Sequence, residues 1–310
     1  MIKPVFILFL LISPLLAESE EYKLYKTAYA MEKKYSVLSL RAYERALHGT
    51  KDEKLKQTIL GRLHALYDKH GKYPEMIALH KNYKTAFNKK LWPLSIKKIA
   101  KNINAKEEQV ESIVEAVFTG NPELLLQVLK ESPANKGLHL FVLSLLSHNG
   151  KYELLDVIYA NATLAGYYPE NKIIYLIKAN RSAIREIHAQ AKDDLKDGKK
   201  AMYLYLMGMY LRARSKYLMS GRFFYMSAAY SNKLNATNET AKSLIATGRY
   251  REACDLQLDQ INESSESDVL LKIFCDGDLK KQKTFLQPVL RQIAANDTFR
   301  FYKHLEKAYD

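Results

Sequence analysis

The sequence predicts an all-α fold, an α-α superhelix of stacked antiparallel helical hairpins. Three observations carry that prediction. A Gly-basic-aromatic phrase occurs four times: His-Gly-Lys-Tyr at 70–73, Asn-Gly-Lys-Tyr at 149–152, Ser-Gly-Arg-Phe at 220–223 and Thr-Gly-Arg-Tyr at 247–250. Each sits between apolar runs at helical spacing. Glycine is therefore expected to end one helix in the left-handed conformation, and the aromatic to enter the core as the next begins. No segment sustains the period-two alternation of a half-buried strand. Finally, 12 Gly and 8 Pro in 310 residues are too few for a turn-rich β fold.

Residues 1–17, MIKPVFILFLLISPLLA, read as a secretory signal peptide. Lys3 gives a positive start, Val5–Ile12 an apolar core, Pro14 a break and Ala17 a small residue before the cleavage point. The apolar run falls short of the roughly 20 residues that span a bilayer. The remaining chain is expected to be exported, periplasmic or secreted, without a transmembrane segment.

An acidic first turn at Glu18, Glu20 and Glu21 opens the first helical stretch, which keeps its apolar spacing through Tyr35–Leu47 and closes at Gly49. Asp52 to Lys69 predicts a helix with Leu55, Ile59, Leu60, Leu63, Leu66 and Tyr67 on one face. Tyr73-Pro74 starts the next, with proline in the first turn. Gly120-Asn-Pro-Glu123 stops one helix and starts another. Leu138–Leu146 is apolar enough to be buried all round, and Leu154–Ala165 is its expected partner, ended by Gly166-Tyr-Tyr-Pro169. The charged stretch Asp193–Gly198 marks a boundary between an N-terminal helical-repeat region, 18–195, and a C-terminal region, 196–310. Leu279 to Asp310 reads as two closing helices with Lys280, Lys281, Lys303 and Lys307 facing water, a capping hairpin.

Tyrosine is abundant, 22 residues against one Trp. Tyr203, Tyr210 and Tyr217 recur every seven residues, flanked by Arg212, Arg214 and Arg222 and followed by Tyr225. Such a stripe is either inter-helix packing or a basic-aromatic face for a partner. These seven residues are the partner-binding candidates. The net charge of +14, from 48 basic and 34 acidic residues, contains no run of five or six like charges. It gives either a solvated basic surface or a face for anionic headgroups, polymers or acidic proteins.

Cys254 and Cys275 lie 21 residues apart and could either form one disulfide across adjacent helices or remain as two buried thiols. Asn161, Asn180, Asn235, Asn238, Asn262 and Asn296 head Asn-x-Ser/Thr sequons. They would be glycan acceptors in a eukaryotic secretory protein, although the Lys-, Ile- and Asn-rich usage favours a bacterial source. The eight histidines form no HExxH or tight His/Asp cluster, and no Walker A, GxGxxG or GxSxG occurs. Ser95-Ile-Lys-Lys98 matches SxxK but lacks a KTG partner. No catalytic residue, metal or cofactor is assigned.

The hairpins resemble the tetratricopeptide repeat (TPR) family. Tyr67 precedes Gly71 by four residues and Tyr73 follows it; Tyr217 and Phe223 stand likewise about Gly221, with Tyr230 at the later aromatic position. Gly248, Tyr250 and Ala253 fit the turn and small positions; Gly150, Tyr152, Tyr159 and Ala162 fit in part, and Tyr43-Glu-Arg-Ala46-Leu47 looks like the end of a second helix. The small position is instead Met76, Leu155 or Met226 in three copies, and the turn glycines are 79, 71 and 27 residues apart, so the array is irregular. The resemblance implies a non-enzymatic scaffold with a tyrosine- and arginine-rich groove that holds a protein partner, suited to a periplasmic envelope or flagellar assembly. The alternative is charge-driven docking on an anionic polymer or membrane surface. Nucleic acid is not an expected partner.

Overall fold

The structure, a computed structural model, describes residues 19–167, 169–190, 196–277 and 283–309. The signal-peptide reading at 1–17 and residues 193–195 of the predicted boundary lie outside the described residues. Among the described residues all regular structure is helical, and no helix is long and apolar enough to cross a membrane.

The stretch read as one opening helix is a hairpin of α1 (Glu20–Glu32) and α2 (Ser36–Gly49). The chain reverses where the Lys34 and Tyr35 amides both turn back onto the Met31 carbonyl. Tyr43 on α2 then donates to Glu32 at 2.7 Å. The next helix, α3 (Glu53–Lys69), is capped by Asp52, whose carboxylate accepts from the Lys54 and Leu55 amides. Then come α4 (Tyr73–Asn82), α5 (Ala86–Ile103), α6 (Glu107–Thr119), α7 (Pro122–Glu131) and α8 (Lys136–His148). The expected partner of α8 is two helices, α9 (Tyr152–Ala160) and α10 (Ala162–Tyr167). Asn161 interrupts them because its side chain caps the Leu164 amide at 3.2 Å.

After α11 (Pro169–Lys178) and α12 (Ile184–Ala189), three longer helices pack side by side: α13 (Asp197–Ala213), α14 (Tyr217–Ala228) and α15 (Ala236–Ile245). The chain ends in α16 (Tyr250–Cys254), α17 (Glu266–Cys275), α18 (Lys283–Asn296) and α19 (Arg300–Tyr309). Cys254 and Cys275 form a disulfide between α16 and α17, with their Cα atoms 5.1 Å apart.

The repeated phrase is a structural unit, with one correction. Gly71, Gly150 and Gly248 take φ of 62°, 66° and 80°, as a left-handed helix terminus requires. Gly221 does not: it lies inside α14. The turn falls earlier, at Ser215, which adopts φ 58°. In all four turns the basic residue that follows donates its amide five residues back. Lys72 bonds to Tyr67, Lys151 to Leu146, Lys216 to Leu211 and Arg249 to Leu244, at 2.8–3.0 Å. The third phrase is therefore Ser215-Lys216-Tyr217, with serine in the glycine position. Asn180, φ 54°, closes the same bond from Arg181 to Leu176 at 2.8 Å. From Gly150 the turns at Asn180, Ser215 and Gly248 follow at 30, 35 and 33 residues.

One continuous apolar core runs from Ala28 to Leu305 and takes residues from both sides of the predicted boundary. The two ends of the chain also meet. Arg41 on α2 donates to Glu266 on α17 at 3.1 Å. His70 bridges Ser36 at 2.9 Å and Ser264 at 3.1 Å.

Candidate partner-binding face

Helix α14 is held on two sides, and its register follows from small residues. Towards α13, the buried hydroxyls of Ser220 and Ser227 donate to the Gly208 and Ala201 carbonyls at 2.8 and 2.7 Å. Towards α15, a Cβ placed on Gly221 would lie 3.3 Å from the Ser243 Cβ, so the missing side chain is what lets the two helices close. Phe224 fills the seam with no exposed surface.

The third side has no cover among the described residues. Leu218, Met219, Tyr225 and Met226 are 44%, 51%, 62% and 48% exposed, with exposed Arg222 among them. At 100° per residue they share an arc of about 120° on one helix face. The stripe leads into a cleft of about 550 Å³ lined by Lys216, Leu218, Met219, Thr247, Arg300 and His304 among others, none of them acidic. His304 accepts or donates to Tyr250 at 2.8 Å. Burial, with Lys307 and Arg300 nearby, holds its imidazole below the usual value.

The seven candidate residues divide three ways. Arg222 and Tyr225 are on the stripe. Tyr203 and Tyr210 are half-buried, packed with Phe223 against Ile173, Ile187 and Leu206 in a smaller apolar cluster. Tyr203 meets His188 at 3.4 Å, and Arg214 stacks over Tyr210 at 5.3 Å. Tyr217 and Arg212 are committed inside the fold. Tyr217 is 5% exposed and its hydroxyl is held between the Thr298 carbonyl and the Arg300 amide. Arg212 lies between Phe224 and Phe299 and pairs with Glu239. The heptad tyrosines do not form one exposed groove: the side of α13 that carries Tyr203 and Tyr210 packs on α11 and α12, and Tyr217, already in α14, packs on Phe299. Leu218, Met219 and Met226, which share the stripe, were not among the sequence candidates.

Behind the stripe is a charged network that the sequence reading did not anticipate. Lys242, only 2% exposed, pairs with Glu239 at 2.7 Å and with Asp268. Asp268 also accepts from Asn235 at 2.9 Å, and Asn235 accepts from buried Asn238 at 2.7 Å, so two of the sequon asparagines are structural members of this network. Burial pushes the Glu239 carboxyl up, but Lys242 and Arg212 outweigh it and bring it down to about 2. Two buried carboxylates suggest acid–base chemistry only if a substrate can reach them, and neither lines the clefts described here. Their charges are balanced by Lys242 and Arg212, and Asn235 donates to Asp268.

Two other polar constellations likewise find partners within the fold. In the cleft where the chain ends meet, about 380 Å³, Arg41 takes Glu266 and Glu44, and Tyr67 donates to Glu44 at 2.7 Å. Ser95 of the SxxK match is 2% exposed and donates to the Leu91 carbonyl at 3.0 Å. Its single proton is thereby used, and His64 and His80, at 2.8 and 3.0 Å, face an accepting oxygen. Lys98 turns to Asp68 instead. No group of three or more His, Cys, Asp or Glu among the described residues could hold a metal ion.

No protein-family model, curated protein or solved structure matches the chain.

Proposed function

We propose that this protein is an exported, non-enzymatic scaffold, an irregular TPR-like solenoid that binds a protein partner through the outer face of α14. One observation carries the reading: a contiguous stripe of four exposed apolar side chains runs into an acid-free cleft bearing Lys216 and Arg300. Contiguous apolar surface on a folded chain marks interaction sites, and large side chains such as Tyr and Met anchor them. The partner segment that fits is apolar with an acidic residue at one end. The turns at 30 to 35 residues support the repeat reading. Stacked hairpins leave extended surfaces of this kind.

The test is site-specific photo-crosslinking from position 225 in the native host, with capture repeated at low and high salt. One stoichiometric protein, retained at high salt and lost in Met219→Lys/Met226→Lys, is the expected result. Capture that is indifferent to those substitutions, or of many acidic species that all wash off in salt, overturns the reading.

A further inference from the structure

The positive charge of this chain is concentrated in space. Between Glu75 and Glu107 there are eight lysines and no Asp, Glu or Arg. All eight are exposed, and among the described residues only Lys98 pairs with a carboxylate, Asp68. Helix α5 sorts them. Its inner face buries Ile96, Ile99, Ala100 and Ile103 in the core. Its outer face presents Lys90, Lys97 and Lys101, all exposed. Amid these amines stands Leu94, 59% exposed. At the start of the helix, Lys81, Lys84 and Lys89 rim a cavity of about 280 Å³ floored by His80 and Trp92. Lys81 stacks over Trp92 at 5.8 Å and over half-exposed Phe118 at 5.1 Å.

We propose that this α4–α5 face docks on an anionic phospholipid bilayer, independently of the α14 stripe. Charge complementarity selects an anionic surface. The residue types then select lipid. Every cation is a lysine, a hydrated point charge suited to a diffuse layer of headgroups. Shaped recognition of a phosphate or carboxylate uses the arginine fork, which is absent here. A large apolar side chain standing among lysines beside an aromatic is the composition of a membrane-interface helix, with the apolar groups entering the headgroup layer and the amines remaining in it. Leu94 occupies the apolar place, and Trp92, on the α4 side of the same helix, lies in the lysine-rimmed cavity next to it.

Trp92 is the chain's one tryptophan, so its emission reads this face and no other. The full chain is titrated with phosphatidylcholine vesicles with and without phosphatidylglycerol. Co-sedimentation and Trp92 emission are followed together. Any binding by the apolar segment at residues 5–12 adds to both vesicle types alike. The expected result is a shift of Trp92 emission to shorter wavelength on anionic vesicles only, with affinity at least about tenfold above that for neutral ones. Lys89→Gln/Lys90→Gln/Lys97→Gln/Lys101→Gln should remove at least about tenfold of that affinity, and Leu94→Ser a smaller part at unchanged charge. All five positions are exposed, so an unchanged thermal melt confirms that the variants fold. The inference is overturned by equal binding to both vesicle types, by no binding, or by a quadruple variant that binds as before. It is equally overturned if polyglutamate or duplex DNA binds as tightly with the same emission change, which would make this a polyanion site.

Discussion

The ring of Phe224 lies directly on the bare backbone of Gly208: a β-carbon at position 208 would stand 2.7 Å from Phe224 Cδ1. Helix propensity alone favours alanine over glycine there by about 1 kcal/mol. Contact decides the other way, since the ring is fully buried and cannot swing out. Gly208→Ala is expected to destabilise the fold by about 1–3 kcal/mol in urea unfolding. Adding Phe224→Leu should cost less than the sum of the two single changes, because the clash is then gone. Strict additivity would mean that the seam is not tight.

Lys242 pairs with two buried carboxylates at once, and Arg212 supplies the second positive charge. Lys242→Met leaves Glu239 and Asp268 without it in a dry site and should cost about 3–5 kcal/mol. Replacing Glu239 with Gln and Asp268 with Asn in the same chain should recover much of that loss. A single variant no weaker than the parent would show that water reaches the site.

Acid should destabilise the protein in two steps. His64, His70, His139 and His304 are all held below the usual imidazole value of 6.5, in each case with burial as the largest cause. The unfolded chain therefore takes up protons that the fold refuses, so stability is complete above that value and declines as pH falls through it. Glu239, brought from 4.5 to about 2, contributes stability that is present above 4.5 and disappears between those values. That second step is worth on the order of 3 kcal/mol. Urea midpoints across the range should show both declines, and His70→Gln should shrink the first.

Reduction of Cys254–Cys275 should lower stability by about 3 kcal/mol, the loop-closure term for a loop of this size. Thermal melts with and without reductant measure it. Identical melts would place the bridge outside the cooperative unit.

Much of the helical layout was legible because local chemistry fixes it. Asp52 caps α3, Pro74 and Pro122 sit in first turns, and Gly71, Gly150 and Gly248 end helices where the phrase places them. The Ser215 turn was hidden because a serine at positive φ is uncommon, and Gly221, a few residues on, offered a plausible substitute. Lys242 was illegible: in Ala-Lys-Ser-Leu it reads as a solvent residue, and only the distant Asp268 explains its burial. Of the candidate residues, Arg222 and Tyr225 are on the exposed α14 stripe, but a seven-residue period cannot distinguish tyrosines packed on neighbouring helices from ones facing water. The lysine field escaped a search for contiguous charge and is visible only as a window without acids.

An open stack of hairpins has two ends, and ends fray. In this chain Arg41 with Glu266, and Ser36 with His70 and Ser264, fasten α2 and the end of α3 to α17 and the segment before it. Amide exchange should therefore slow as much in α2 and α17 as in the middle of the chain. Removing the chain from Ser264 onward should loosen α1–α3 at the opposite end of the sequence, so that the described helices behave as a hoop rather than a spring.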